Sequence, residues 1–509
     1  MRKIPFLILS WILVGCAAAP SLPPGYVAVG LETGPITLDP RYATDATASQ
    51  IGDLLFDGLT RLDDQSRRLP QLAVSWETPD AQTYVFHLRD GFRFSDGQPV
   101  TAGDVKATYD AILDPRTHSP KQQELEPVEA VEVPDRLTVR FRLRFPFAPF
   151  LNATGLGILP AGLIAASPTK ALAQPVGSGP FRLSEFTPDD KLVLVRNPLY
   201  PLGSPRLAGV VFTVVPDAVT RLLQLKRGSL DLVQNGIDPD SLDWLRKQRH
   251  IMVTTQPGTT FQYLGLNLRD ARLADVRVRQ AIAHAIDRDA IVATILKGLA
   301  MPATGLLPPT HWAFSADVTS YGYNPKQAKK LLDEAGYPDP DGDGPTPRFR
   351  LSYKTTTVEL RQRIAEVLQE QLAQVGIALD IRGYEWATFY SDIKRGDFQL
   401  YSLAWVGIED PDIYYLTCHS SQTPPHGSNR GYFHEETVDQ LTEAARRTVN
   451  QAERQRLYGE VQHRLSQLLP VIPLWWTTNV VALNRRLQGF EVRPNASYVS
   501  LKDAWIEER

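Results

Sequence analysis

Apolar and polar residues alternate along short stretches in the first third of the chain. Residues 84–94, YVFHLRDGFRF, alternate on both sides of an Asp-Gly dipeptide that favours a tight turn, which predicts a β-hairpin. Residues 137–143, LTVRFRL, alternate in the same way. Thr101 is followed three residues later by Asp104, a spacing that is typical of a capped helix start. We therefore expect a compact α+β subdomain within residues 51–174.

The second half of the chain has the pattern of strands that alternate with helices. Residues 349–353 alternate like a strand, residues 358–375 have helical spacing, and residues 377–381 alternate again. This order predicts a βαβ crossover with parallel strands. The next predicted strand, 398–405, ends at Trp405. Ligands collect beyond the carboxyl ends of strands in open α/β sheets, so the loop after Trp405 is a candidate ligand site.

That loop, AWVGIEDPDIYY, places three carboxylates beside a tryptophan. A pair of catalytic acids must face each other across a substrate, which near-adjacent positions such as Glu409 and Asp410 do not favour. A turn shaped by Pro411 is one interpretation. The other is ligand contact, in which Trp405 forms an apolar wall and a carboxylate meets a cation.

The remaining motifs for catalysis or metal binding are incomplete. His434-Glu435 lacks the second histidine of a zinc protease helix. Residues 339–344, DPDGDG, begin like a calcium loop, but Arg350 stands where a bidentate glutamate is required. We therefore expect no catalytic residue, no metal site and no cofactor.

The N-terminus has the features of an export signal. Arg2 and Lys3 precede an apolar run that ends before Cys16, and the run is shorter than the roughly 20 residues of a membrane-spanning helix. The segment after Cys16, AAAPSLPPG, is proline-rich and is typical of a semi-rigid tether. The expected location is outside the cytoplasm, at the periplasmic face or the cell surface.

Composition and charge limit the classes of partner. The net charge is −3, and 43% of the residues are hydrophobic against 22% charged, which is typical of a globular protein. There is no basic cluster interleaved with aromatic residues, so a nucleic acid is not an expected partner. The 509 residues contain only two cysteines, Cys16 and Cys418.

Several ordered stretches resemble the bacterial extracellular solute-binding proteins of family 5, the dipeptide and oligopeptide receptors of ABC importers. The resemblance covers nearly the whole chain after the signal. Its matching stretches include TLDP (37–40), DGLTRLD (57–63), PQLAVSWE (70–77), YVFHLRDGFRFSDGQPVTAGDV (84–105), GSGPFRL (177–183), VRNPLY (195–200), LNLRDARLADVRVRQAIAHAIDRDAIV (266–292) and ERQRLYGEVQHRLSQLLPVIPLW (453–475). The ending Leu13-Val14-Gly15-Cys16 also resembles a lipobox, which implies that Cys16 is lipidated and anchors the chain to a membrane.

The resemblance implies an α/β fold of the type II periplasmic-binding-protein class, with two lobes, an extra α+β subdomain and a hinge. Crossings between the lobes are expected near residues 263–267 and 475–479. The expected organisation is a signal peptide (1–15), a lipidated N-terminus and tether (16–25), lobe I (26–50, 175–264 and 477–509), an inserted subdomain (51–174) and lobe II (265–476).

The implied function is capture of peptides between the closing lobes and delivery to a permease, with separate ATPase subunits. The chain is expected to be a monomer and not an enzyme. Trp405 and Gly407 would line the cleft, Glu409, with Asp410 beside it, would meet a ligand amine, and Lys354 would meet a carboxylate. The resemblance implies an aspartate at the position of Ile408 in dipeptide-binding members, so its replacement argues against dipeptides and leaves longer peptides open as ligands. The alternatives are a receptor for a nickel chelate or an oligosaccharide, or a surface lipoprotein with an enzymatic or chaperone role.

Overall fold

The computed structural model describes residues 22–167, 172–342, 344–425 and 427–507. The predicted signal peptide and the predicted lipidation site Cys16 lie outside these residues. Within the part of the chain that is described, no helix is long and apolar enough to cross a membrane.

The secondary structure elements are labelled in chain order. The strands are β1 Tyr26–Leu31, β2 Thr60–Leu62, β3 Arg68–Pro70, β4 Ala73–Asp80, β5 Thr83–Leu88, β6 Val128–Asp135, β7 Thr138–Leu143, β8 Phe181–Thr187, β9 Lys191–Arg196, β10 Gly209–Val214, β11 Leu232–Gln234, β12 Ile251–Leu266, β13 Ala300–Pro302, β14 Phe349–Thr356, β15 Ile377–Tyr384, β16 Leu400–Trp405, β17 Val471–Asn484, β18 Leu487–Gln488 and β19 Trp505–Ile506. The α-helices are α1 Ala46–Leu55, α2 Ala102–Leu113, α3 Phe150–Ala153, α4 Ala161–Ala166, α5 Ala218–Arg227, α6 Leu242–Arg246, α7 Ala271–Ala274, α8 Val276–Ala285, α9 Arg288–Thr294, α10 Pro325–Glu334, α11 Glu359–Ala373, α12 Trp386–Arg395, α13 Ile413–Cys418, α14 Glu436–Arg447 and α15 Gln451–Leu468.

One mixed sheet runs through both halves of the molecule, in the order β15-β14-β16-β12-β17-β11-β1-β10-β9-β8, and β13 pairs with β17. The long strands β12 and β17 pair antiparallel over most of their length. Near one end of this ribbon β17 pairs with β11, and near the other end β12 pairs with β16. The two long strands therefore connect the lobes.

The register between β12 and β17 shifts between Pro257 and Phe261, whose partners in β17 are Thr478 and Trp476. This irregularity lies inside the predicted crossing at 475–479 and a few residues before the predicted crossing at 263–267. The residue bounds of the lobes and of the hinge stay predictions.

The predicted βαβ crossover of the second lobe is confirmed. β14 and β15 are parallel, from the pair Phe349–Ile377 to the pair Thr356–Tyr384, and α11 connects them. One side of α11 is buried through Ile364, Ala365, Leu368 and Leu372, as its helical spacing predicts. β16 joins the same sheet parallel to β14 and ends at the predicted residue, Trp405.

The predicted hairpin over residues 84–94 is wrong. β5 ends at Leu88, and both of its edges are taken, by β4 and by β7. After the turn at Gly91, the side chains of Phe92 and Phe94 enter the same buried cluster as Phe86. Their alternation therefore reflects burial toward one core and not pairing with β5, because no free edge remains for them.

Two other predictions for the subdomain are confirmed. β7 covers residues 138–143 and pairs with both β5 and β6. α2 begins directly after Thr101, whose backbone N–H donates to the Asp104 carboxylate at 2.8 Å in a capping box. The four-stranded sheet β4-β5-β7-β6 and α2 share one hydrophobic core.

Candidate functional site

The loop after β16 has a backbone that turns sharply at Gly407. Gly407 has a φ of +68°, in the left-handed region, and no atom lies within 4 Å of the place where its Cβ would stand. Ile408, which follows, is only 5% exposed and packs in the second core of lobe II. The position at which the resemblance implies an aspartate for dipeptide-binding members is therefore turned into the core in this chain, and Glu409 is the first carboxylate of the loop that reaches solvent.

Glu409 reaches from lobe II to the inserted subdomain. Its Oε2 forms an ion pair with Nη2 of Arg68 at 3.0 Å. The Arg68 side chain is 9% exposed, whereas that of Glu409 is 45% exposed. His311 Nε2 donates to the backbone carbonyl of Glu409 at 3.2 Å, since its Nδ1 accepts from a backbone N–H. Glu409 is thus held by its backbone and remains half open to solvent.

Asp410, by contrast, is tied to its own lobe. Its carboxylate accepts two hydrogen bonds from Arg454 of α15, at 2.9 and 3.3 Å, and both side chains are buried. Burial alone would raise the pKa of Asp410, but the Arg454 guanidinium and neighbouring hydrogen bonds hold that pKa below its usual value. This geometry gives Asp410 a structural contact, and its contact with a ligand stays a prediction.

Asp412 is the third acid of the loop and is also buried. Arg446 Nε lies 3.1 Å from its carboxylate, and the Tyr458 hydroxyl donates to it at 3.3 Å. Burial, reinforced by the charge of Asp410, raises the pKa of Asp412 to about 6. Of the three carboxylates that the sequence groups together, only Glu409 therefore faces open space.

Lys354, the predicted carboxylate contact, already has acidic partners. Its ammonium lies 2.8 Å from Asp392 and 3.4 Å from Asp397, and the residue is 6% exposed. These two carboxylates balance its charge, so a ligand carboxylate at Lys354 would be repelled by the same acids. The role of Lys354 in ligand binding stays a prediction.

An aromatic wall lies next to the loop. Trp405 is half-buried at the end of β16, and an arginine guanidinium, that of Arg430, lies 5.0 Å from its ring centroid. The ring centroid of Tyr390 lies 5.5 Å from the same guanidinium. Trp386 stacks on Tyr390 with ring centroids 5.3 Å apart and is 52% exposed. Flat apolar faces are therefore open to solvent beside Trp405.

Asp53 of α1 is a further acid at this place that sequence reasoning missed. Its side chain accepts a hydrogen bond of 2.5 Å from Ser497 Oγ. Asp53 is exposed, yet partial desolvation by the protein atoms around its carboxyl raises its pKa to about 6; the Ser497 hydrogen bond lowers that pKa, the charge of Glu409 raises it and that of Arg68 lowers it. Asp53 of α1 and Glu409 of the loop after β16 are therefore close enough to influence each other. In the sequence, Asp53 is a polar position on an amphipathic helix, where an aspartate has no distinguishing signal.

Direct contacts join the inserted subdomain to lobe II around Arg68. The backbone N–H of Trp312 donates to the carbonyl of Gln65 at 3.2 Å, and that of Ala148 donates to the carbonyl of Arg446 at 2.7 Å. Together with the Arg68–Glu409 pair, these contacts hold the inserted subdomain against lobe II.

Comparison with known proteins decides the family. The model of the "Bacterial extracellular solute-binding proteins, family 5 Middle" matches residues 68–425. The chain belongs to this family. The prediction of a family 5 protein with a two-lobed α/β fold is confirmed.

The proteins to which the chain is similar include peptide-binding proteins and a protein that holds a metal chelate. The chain is 27% identical to the dipeptide-binding protein of Escherichia coli (strain K12) over 528 residues, which cover 97% of each chain. The structure of the oligopeptide-binding protein AppA from Bacillus subtilis, in complex with a nonapeptide, superposes with a TM-score of 0.79 at 27% identity and covers 95% of this chain and 99% of AppA. That of NikZ from Campylobacter jejuni, in complex with Ni(L-His), superposes with a TM-score of 0.82 at 25% identity and covers 96% of this chain and all of NikZ, 100%.

Proposed function

We propose that this family 5 protein is the substrate-binding component of an ABC importer, and that it captures peptides between its lobes and delivers them to a membrane permease. The observation that carries the proposal is the meeting of charged groups from separate parts of the fold beside an aromatic wall. Asp53 comes from α1, Arg68 from β3 and Glu409 from the loop after β16. A ligand that reaches this place contacts both lobes at once.

Binding of this kind favours closure. A ligand stabilises the closed form only to the extent that it makes contacts there that the open form lacks. A peptide ammonium near Glu409 would be attracted by Glu409 and Asp53 together, one acid from lobe II and one from outside it. The free energy of that attraction is available only when the lobes are together, so capture and closure are coupled. The process is reversible binding and involves no bond cleavage.

The cell-surface part of the proposal rests on the N-terminal sequence. We propose that Cys16 is lipidated, that residues 17–25 tether the body to a membrane, and that the closed monomer docks on a permease driven by ATPase subunits. Several acyl chains are needed for a firm anchor, because one chain alone binds only marginally. Mass spectrometry of the mature N-terminus checks the modification, and an unmodified Cys16 would contradict it.

The alternative ligands are a nickel chelate, which NikZ is seen to hold, or an oligosaccharide. Within the described ranges, no group of three or more His, Cys, Asp or Glu side chains is placed to hold a bare metal ion. A chelate would therefore be recognised through its organic part. An enzymatic or chaperone role at the surface is the remaining alternative, and transport of a bound peptide in cells would argue against it.

Replacing Glu409 with glutamine tests the amine contact. For peptides with a free amine, we expect affinity to fall about tenfold or more, since a hydrogen bond to a charged group contributes about 1.5–3 kcal/mol. N-acetylated forms of the same peptides should bind the wild type and E409Q with equal affinity. Isothermal titration calorimetry measures both ratios. The matched control is Glu436→Gln, an exposed glutamate of α14 in the same lobe.

An equal loss for free and acetylated peptides would contradict the amine contact. It would assign Glu409 to closure alone, through its ion pair with Arg68. No loss for either form would remove Glu409 from the binding account.

A further inference from the structure

Arg430 is a buried cation beside Trp405 that the family comparison and the sequence do not single out. It lies in the loop before α14 and is 7% exposed. Its guanidinium is flanked by the ring of Trp405 at 5.0 Å and the ring of Tyr390 at 5.5 Å. Arg430 therefore lies directly behind the aromatic wall of the candidate site.

The polar contacts of Arg430 are with neutral groups. Nη1 donates to the Tyr263 hydroxyl at 3.0 Å and Nη2 to the Tyr390 hydroxyl at 3.4 Å. Burial raises the pKa of Tyr263, so its hydroxyl stays protonated near neutral pH. Among the described residues, no carboxylate forms an ion pair with Arg430, in contrast to the lysine at 354.

The other buried arginines in the described part of the chain are all provided with anionic or carbonyl acceptors. Arg41 pairs with Asp39, and Arg454 pairs with Asp410. The Arg221 guanidinium donates to the backbone carbonyls of Val215, Pro216 and Gly236. The Arg279 guanidinium donates to those of Leu273, Ala274 and Leu468. Arg430 differs from this pattern because, in the described part of the chain, its hydrogen bonds go to tyrosine hydroxyls and to no carboxylate or backbone carbonyl.

This difference has a physical consequence. A buried charge without a counter-ion is unfavourable, and proteins normally supply a partner or several strong acceptors. Aromatic faces attract a cation but do not neutralise it. A guanidinium has five N–H donors, so it keeps donors beyond those that the two hydroxyls accept, and its flat fork matches the geometry of a carboxylate.

We propose that Arg430 binds a carboxylate of the ligand, and that this receptor selects ligands that carry one. The inference rests on the proposed function and adds the ligand chemistry to it. It also moves the carboxylate contact from Lys354, whose charge Asp392 and Asp397 already balance, to Arg430. The carboxylate is either the C-terminus of a peptide or an acidic side chain.

The test compares the wild type with Arg430→Gln and Arg430→Lys. The probes are peptides of two to eight residues, made with a free or an amidated C-terminus and with or without one aspartate or glutamate. We expect R430Q to lower the affinity for carboxylate-bearing peptides at least about tenfold, and R430K to lower it less, because lysine keeps the charge but loses the fork. Calorimetry measures the affinities. If R430Q no longer lowers the affinity once the peptide C-terminus is amidated, the carboxylate that Arg430 binds is the C-terminus. If R430Q stops lowering the affinity only when the aspartate or glutamate is removed, that carboxylate is the acidic side chain.

A purely structural role for Arg430 gives a different result. If Arg430 only bridges Tyr263 and Tyr390, R430Q should lower the unfolding temperature of the ligand-free protein and weaken all peptides equally, amidated ones included. The proposal predicts that the unfolding temperature without ligand is unchanged or higher, because an unpaired buried charge is removed. The lysine variant provides the comparison if the glutamine variant does not fold.

The inference and the proposed function fail in distinguishable ways. If peptides bind the wild type but R430Q and amidation have no effect, the Arg430 contact is overturned and peptide capture stands. If no peptide binds, peptide capture is overturned, and the same variants are then tested with citrate, glutarate and nickel–histidine against maltotetraose. If the acids bind the wild type and R430Q lowers their affinity, the contact between Arg430 and a carboxylate is supported. If only the neutral sugar binds, or if the acids bind R430Q as tightly as the wild type, that contact is overturned.

Discussion

Replacing Asp410 with asparagine is expected to lower the free energy of unfolding by about 3–5 kcal/mol, the usual cost of removing one partner of a buried ion pair. The two hydrogen bonds from Arg454 to Asp410 lie in the interior of lobe II. Without the carboxylate, the Arg454 guanidinium stays buried with its charge unbalanced. Urea denaturation followed by circular dichroism measures the difference.

The matched control for this prediction is Asp412→Asn, two residues along the same loop. Asp412 is buried too, but its pKa is raised to about 6, which shows that burial there disfavours the charged form. Since the folded pKa lies above the unfolded one, ionisation of Asp412 reduces stability as pH rises from about 4 through 6. At pH 7, D412N should therefore cost much less than D410N. A D410N protein of unchanged stability that has lost peptide affinity would contradict the structural role and assign Asp410 to the ligand.

Replacing Trp405 with alanine is expected to weaken ligand binding by about 2 kcal/mol, or about 30-fold, as is usual for a tryptophan at the centre of a binding surface. Two losses combine in this variant. The apolar wall disappears, and the Arg430 guanidinium, now 5.0 Å from the Trp405 ring, becomes hydrated and attracts an anion less strongly. Calorimetry with a peptide that binds the wild type gives the ratio of affinities.

Trp244→Ala is the control for the tryptophan variant. Trp244 belongs to α6 and packs at the edge of a lobe I core, with Lys226 Nζ 5.4 Å from its ring centroid. Its removal should lower stability and leave peptide affinity within about twofold once the folded fraction is taken into account. Equal affinity of W405A and the wild type would remove Trp405 from the site.

Predictions from local pattern hold in this fold where a short segment determines its own structure. The crossover from β14 through α11 to β15 has helix and strand periods that burial enforces over many residues. The capped start of α2 depends on Thr101 and Asp104 alone. The hairpin at 84–94 fails because strand pairing is decided by remote segments: β4 and β7 take both edges of β5, and the alternation of Phe92 and Phe94 cannot show this.

In the candidate site, too, local features could be predicted from the sequence and contacts between remote residues could not. The end of β16 at Trp405 is predicted correctly because a strand end is a local feature, whereas the role of its loop in binding stays a prediction. The charges could not be assigned from sequence. Lys354 looks available for a carboxylate, yet Asp392, which is 38 positions away, neutralises it. Arg430 has no sequence motif, and its significance comes from the absence of an acid among three-dimensional neighbours in the described chain.

The central claim, peptide capture, is tested most directly by thermal unfolding of the wild-type protein, without its signal peptide, against peptides of two to eight residues. A ligand at about 100 times its dissociation constant should stabilise the folded protein by about 2.7 kcal/mol, which is a measurable increase in the unfolding temperature. We predict that increase for a subset of peptides that carry both a free amine and a carboxylate. An unfolding temperature that no peptide changes, but that nickel–histidine or an oligosaccharide raises, would contradict the account.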